Sequence, residues 1–351
     1  MKTALKIALL VFVVLLIVLL TFGFVLVMDW PWWVGLFILL AFAGIGVGVL
    51  FLRKLLMRRR EQKFVSQVIM QDEARIRAAQ DSAGKDELAD IQRKWKEAVD
   101  ALRRSHLRKQ GNPLYVLPWY MIIGESGSGK TTALASAKLS SPFVEVTRTA
   151  GISGTKNCDW WFFEQAIIID TAGRFAIPVD EGRDKEEWQK FMHLLAKYRK
   201  KEPLNGLIIA LAADKVLASS PEALEEEGKT IRRRIDELMR VLGTKFPVYL
   251  LLTKCDLIHG MTTFCNSLSD KSLEQPMGYV NQDLSTDVPA FLDQAVGTLA
   301  ERLKNLRLVL LHQFRNKDVN PDVLLFPEEF ENLKRGLGAF GKGAFAENPY
   351  Q

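Results

Sequence analysis

An apolar run from Tyr115 to Ile123 leads directly into Gly124-Glu125-Ser126-Gly127-Ser128-Gly129-Lys130-Thr131, and Thr132 to Leu139 then reads as the start of a helix. Strand, glycine-rich loop and helix in that order are the setting that a phosphate-binding P-loop requires. The glycines permit backbone conformations that aim successive N–H groups at phosphate oxygens, and the new helix adds its positive N-terminal end. In such a loop Lys130 is expected to reach β- and γ-phosphates, the Thr131 hydroxyl to ligate magnesium, and Thr132 to approach the α-phosphate. The expected fold is therefore α/β: a P-loop GTPase-like domain with a mostly parallel sheet.

Two further motifs follow in the order such a domain needs. Asp159 to Phe163 and Ala166 to Ile169 are strand-like runs separated by Glu164-Gln165, and read as a hairpin ending at Asp170-Thr171-Ala172-Gly173. At a strand's carboxyl end Asp170 is suited to hold magnesium through water, and the Gly173 N–H to approach a γ-phosphate. Thr155 and Thr149 are both candidates for the mobile threonine that senses γ-phosphate and magnesium, with Thr155 preferred because it lies just before the hairpin. Leu207 to Ala213 and Pro247 to Leu252 are further strand runs, the second ending in Thr253-Lys254-Cys255-Asp256. A carboxylate at Asp256 can accept both N1–H and N2–H of guanine, whereas adenine offers an acceptor at N1 and lacks the 2-amino group, so the expected nucleotide is GTP, with ATP the alternative. Thr253 belongs to the same loop, and Lys254 can lay its stem along the base.

The front of the chain has a different character. Ala4 to Val27 and Val34 to Leu52 are apolar runs long enough to cross a hydrocarbon core of about 30 Å, with Trp30, Trp32 and Trp33 clustered at the break between them. Lys2 and Lys6 precede the first run, and Arg53, Lys54, Arg58, Arg59 and Arg60 follow the second. This charge asymmetry predicts an α-helical transmembrane hairpin with both ends cytoplasmic, hence a multi-pass inner-membrane location. From Glu61 to Lys109 apolar residues recur at broadly helical spacing, including Ile91, Trp95, Val99 and Leu102, which predicts a helical stalk. The expected organisation is thus a hairpin over 1–52 (spans about 4–27 and 34–52), a cytoplasmic helical linker over 53–111, an NTPase domain over 112–316, and a partly flexible extension over 317–351.

The formal charge of +6 is modest for 351 residues and the basic residues form no long tract on an aromatic surface, which argues against nucleic acid as a partner. The basic cluster Arg103, Arg104, Arg108 and Lys109 reads as a solvated helix face, with anionic lipid as the other reading. Three cysteines, Cys158, Cys255 and Cys265, have no metal-like spacing and are expected as structural thiols. Gly336, Gly338, Gly341 and Gly343 mark the segment from Leu333 onward as a flexible tail.

The set Gly124 to Thr132, Asn157-Cys158-Asp159-Trp160-Trp161-Phe162, Asp170 to Arg174, Leu252 to Asp256, Phe326-Pro-Glu-Glu-Phe330 and Asn348-Pro-Tyr-Gln351 resembles the IcmF/TssM family of type VI secretion inner-membrane components. The resemblance implies a membrane complex with a smaller inner-membrane subunit, other copies of the chain and, where a periplasmic region is present, an outer-membrane lipoprotein. Family members continue into a third transmembrane helix and a periplasmic region, which this chain is expected to lack. Signal-recognition-particle GTPases share Gly-Lys-Thr-Thr, Asp-Thr-Ala-Gly-Arg and Thr-Lys-x-Asp, but neither the tryptophan-rich hairpin nor the two-span anchor fits them. Arg174 stands where Ras-like switches place the glutamine that orients water, so slow hydrolysis is the expectation. Two roles stay open from the sequence: a slow GTPase switch regulating assembly or secretion, and a scaffold that docks partners without needing hydrolysis.

Overall fold

The computed structural model describes residues 85–105, 107, 111–137, 139–140, 158–179, 181–281, 287–313 and 320–345, with scattered positions between 21 and 48. The chain divides into two compact units, Met1–Met70 and Gln71–Gln351. In the first unit, residues 33–37 are helical, the Val34 N–H donates to the Pro31 carbonyl at 3.0 Å, and Trp33 meets Phe37 edge to face.

The expected fold class needs correction at this end of the chain. Most of 4–27 and 34–52 lies outside the described residues, and among the described residues no helix is long and apolar enough to cross a membrane. The hairpin expectation rests on hydropathy and run length, and crossing needs about 20 consecutive apolar residues in one helix. The longest described helix, Val288–Gln313, has 26 residues but carries Asp293, Glu301, Arg302, Lys304 and Arg307. The transmembrane hairpin therefore drops out of the fold class, which becomes a helix-rich α/β unit on a mixed sheet.

In the second unit, strands β1 (Trp119–Ile123), β2 (Cys158–Phe162), β3 (Ile167–Thr171), β4 (Gly206–Ala212) and β5 (Val248–Thr253) form one sheet in the order β2-β3-β1-β4-β5. β1 pairs parallel with β3 and β4, and β4 pairs parallel with β5, while β2 runs antiparallel along β3 at the edge. All five residues of β3, Ile-Ile-Ile-Asp-Thr, are buried, as a strand covered on both faces should be. Pleating explains the paired tryptophans of β2. Trp161 joins Ile122, Leu134, Phe163 and Ile168 on one face, and Trp160 points to the other, where it meets Trp95 and Trp119 edge to face at 4.7 and 5.1 Å.

Trp95 belongs to helix α1 (Lys85–Arg104), whose Ile91, Trp95, Val99 and Leu102 are fully buried at successive turns. This part of the expected stalk is packed on the sheet rather than solvated. Lys94 fixes its register by donating to the Asp159 carboxylate at 2.7 Å and the Cys158 carbonyl at 3.0 Å. Replacing Trp95 by alanine would cost about 3–5 kcal/mol.

The remaining helices cover the sheet and its carboxyl edge: α2 (Pro113–Val116), α3 (Lys130–Ser136), α4 (Gly173–Ala176), α5 (Glu181–Tyr198), α6 (Ala213–Ala218), α7 (Pro221–Leu242), α8 (Met261–Asn266), α9 (Asp270–Leu273), α10 (Val288–Gln313), α11 (Asp322–Glu331) and α12 (Leu333–Ala344). α7 starts where the Ser220 side chain accepts from the Ala223 N–H with Pro221 in the first turn, and ends at Gly243 in the left-handed region. The glycine-rich segment expected to be a flexible tail is helix α12. It lies so close to α7 that a Cβ on Gly343 would sit 2.1 Å from the Glu225 carbonyl oxygen, and one on Gly228 would sit 2.4 Å from that of Phe340. The glycines serve backbone approach rather than mobility.

Candidate functional site

β1, β3 and β5 all run in one direction, so their carboxyl ends deliver three segments to the same edge of the sheet: Gly124–Thr131, Asp170–Gly173 and Thr253–Asp256. Ligands of open α/β sheets gather at that edge.

Gly127 and Gly129 have φ of 75° and 79°, in the left-handed region, which lets the chain curl between β1 and α3. The loop wraps around Lys130. Its ammonium donates to the Gly124 and Glu125 carbonyls, each at 2.8 Å, and lies 3.4 Å from the Ser128 hydroxyl. The residue is 6% exposed, and burial pulls its pKa below the usual lysine value, partly offset by Asp170 and Glu125. Thr131 donates its hydroxyl to the Asp170 carboxylate at 2.5 Å. Asp170 is fully buried, flanked by Ile122 of β1 and Asp159 of β2 in the ladder.

The two phosphate-type motifs touch at Gly173. A Cβ there would stand 2.2 Å from the Ser126 amide nitrogen and 2.4 Å from its Cα, so any larger residue forces the loop to shift. Thr171 secures the same corner by donating to the Ile122 carbonyl at 2.8 Å. Thr132 is exposed at the start of α3. The Thr131 hydroxyl and the Asp170 carboxylate are hard oxygen donors, a set that fits magnesium, which takes few protein ligands and completes its shell with water and phosphate. Among the described residues no cluster of three or more His, Cys, Asp or Glu could hold a metal by itself.

At the other end of the edge, Thr253 joins the base-type segment to the loop. Its hydroxyl is 2.5 Å from the Ser128 carbonyl and 3.3 Å from that of Leu211. Lys254 adopts φ of 53°, its stem lies 3.7 Å from where a Gly129 Cβ would be, and its ammonium is 3.7 Å from the Asp214 carboxylate. Asp256 is exposed in the short 3-10 turn Cys255–Leu257. Behind it, His259 pairs with Asp322 of α11 at 3.3 Å and Phe264 packs on Phe326.

The structure thus brings Lys130, Thr131, Asp170, Gly173 and Thr253 into one connected set, with Lys254 beside the loop and Asp256 at its exposed rim. Thr149 and Thr155 lie outside the described residues. Cys158 is buried, while Cys255 and Cys265 are half-buried free thiols. Burial, with Asp256 nearby, pushes the Cys255 thiol up to about 11.

Three basic residues make contacts that local sequence does not reveal. Arg174 is held by α5, 2.7 Å from Glu187 and 3.3 Å from Asp184, both nearly buried. Arg199 is buried 4.5 Å over the Trp119 ring and 5.1 Å over that of Tyr115, and burial lowers its pKa to about 10. Lys215, from α6, pairs with Glu125 of the loop and with Glu227 of α7. A short run such as Ala213-Asp214-Lys215 after a strand hints at a polar edge, but gives no partner.

Residues 181–351 match the IcmF-related N-terminal domain, a stretch that includes Thr253–Asp256 and leaves out the phosphate-type loop. The type VI secretion system component TssM1 of Pseudomonas aeruginosa is 37% identical over 275 residues, 76% of this chain. The matched region spans 25% of that relative's length. From these matches the chain belongs to the IcmF/TssM family and corresponds to its N-terminal part.

Proposed function

We propose that the chain binds GTP with magnesium at the carboxyl edge of its sheet and acts as a slow nucleotide switch within the type VI secretion membrane complex at the bacterial inner membrane. One observation carries the reading: Lys130 and Thr131, Asp170 and Gly173, and Thr253 to Asp256 leave three parallel strands of one sheet at the same edge. Lys130 exchanges its carbonyl partners for phosphate oxygens. Thr131 and Asp170 would hold magnesium, which when bound neutralises charge on the phosphates. Gly173 offers its N–H to the terminal phosphate, and Asp256 accepts from guanine. The partners proposed are a smaller inner-membrane subunit and other copies of the chain, with an outer-membrane lipoprotein reached through periplasmic parts of such proteins.

Titration of the purified chain with GTP and ATP in the presence of magnesium tests this. Preference for GTP by tenfold or more supports it; equal affinities sink the guanine reading, and binding of neither sinks the nucleotide reading.

A second reading, the partner-docking scaffold, draws on Arg174. Ion-paired to Asp184 and Glu187, it occupies the position where a Ras-like glutamine would orient water. Rapid single-turnover GTP hydrolysis by the chain alone would exclude slow hydrolysis. Lys130→Ala separates switch from scaffold: it should weaken nucleotide binding about 10- to 100-fold by removing charge-assisted bonds. Secretion that continues undiminished in that variant would favour the scaffold.

A further inference from the structure

The phosphate-type loop carries a negative side chain of its own. Glu125 is its second residue, in a loop whose proposed ligand brings several negative charges. The carboxylate is not left bare: Lys215 forms an ion pair with it. Lys215 stands in the first turn of α6, directly after β4, and its ammonium is also 2.8 Å from Glu227, a nearly buried carboxylate of α7. Burial alone would lower the lysine's pKa, but the hydrogen bonds it donates to Glu125 and Glu227, together with their charges, outweigh it and raise the value, so the cation persists through the neutral range. The turn that carries Lys215 is itself fixed, since Ala213 and Val216 are buried and α12 passes so close that a Gly336 Cβ would be 2.6 Å from Val216 Cγ1.

We propose that Lys215 is a positioning residue for the phosphate loop, neutralising Glu125 and tethering it to Glu227 of α7 so that the loop can accept a polyanionic nucleotide. This rests on the nucleotide reading above. Lys215 needs no contact with the ligand in this role. It acts through Glu125, whose unpartnered charge would repel phosphate, and whose pairing links the loop to α7 and to the C-terminal helix packed on it.

The test measures dissociation constants of GTP, GDP and guanosine for the full 351-residue chain and its variants. Lys215→Met should weaken GTP by about 10- to 100-fold, GDP by less, and guanosine hardly at all. Glu125→Gln in the same chain should recover most of the lost GTP affinity, because the loop's own carboxylate is then neutral, whereas Glu227 lies on α7 outside the loop. Lys215→Arg should retain binding. GTP affinity unchanged in Lys215→Met overturns the proposal while leaving the nucleotide site intact. Equal losses for guanosine and GTP, or no rescue by Glu125→Gln, also overturn it and reduce Lys215 to a packing role. If the wild-type chain binds none of the three, this proposal and the guanine reading fall together.

Discussion

The two ends of the candidate site are built on different terms. At the phosphate end the central groups are locked: Asp170 is fully buried, Lys130 is encircled by its own loop, and the Gly173 backbone abuts Ser126. At the base end Asp256 is exposed and Lys254 bridges only loosely to Asp214. Steric fit therefore governs the first, and side-chain identity the second. A buried, close-packed corner tolerates almost no change, whereas an exposed carboxylate can be replaced with the backbone undisturbed.

The largest effect is expected from Gly173→Ala. The added methyl would fall 2.2 Å from a backbone nitrogen, and backbone cannot swing aside as a long side chain can. Overpacking of this kind costs about 1–3 kcal/mol of stability, and the displaced loop should lose nucleotide affinity by at least the upper end of the roughly 5- to 160-fold range that this energy represents. Thermal melting and GTP titration would read the two separately. A variant that melts and binds like wild type would show that the phosphate corner is looser than its contacts imply.

Much of that corner was legible from local sequence. A glycine-rich loop followed by Lys130-Thr131, and an apolar run ending at Asp170, are short-range patterns whose meaning survives without knowledge of the fold. The Trp160-Trp161 pair was legible as strand, although not the division of its rings between two faces. Lys215 and Glu125, by contrast, are 90 residues apart, and only the strand order brings them together. The glycines of α12 misled for a related reason. Gly336 and Gly343, seven residues apart, lie on one helical face, and composition alone cannot separate that spacing from a loose linker until α7 supplies the matching Gly228. At the chain's start the hairpin rests on apolar run length alone, and among the described residues no helix is long and apolar enough to cross a membrane.

An intermediate effect is expected from Thr253→Val, which cuts the link between the two ends. Valine keeps the shape but leaves the buried Ser128 carbonyl without the hydroxyl that lies 2.5 Å away. The cost should be about 1–3 kcal/mol. If the link transmits, GDP affinity and free guanosine affinity should fall together, since one hydroxyl fixes the phosphate loop and the strand end that leads to the base. A loss confined to GDP would mean that the two ends are set independently.

The smallest effect belongs to Asp256→Asn, and its size is the sharpest measure of the contrast. The side chain is exposed and its neighbours impose no steric demand, so the fold and the phosphate corner should be unchanged. Thermal melting should shift by no more than about 1 °C, the equivalent of a few tenths of a kcal/mol. The amide donates where the carboxylate accepted, so GTP should weaken and xanthosine triphosphate, with a carbonyl at position 2, should strengthen. Because water can still serve either group at an exposed site, each change is expected to be only about 3- to 10-fold. A swing of a thousandfold or more would mean that the base end closes over its ligand and becomes as buried as the phosphate end. No swing at all would remove Asp256 from base recognition, leaving phosphate as what the edge recognises.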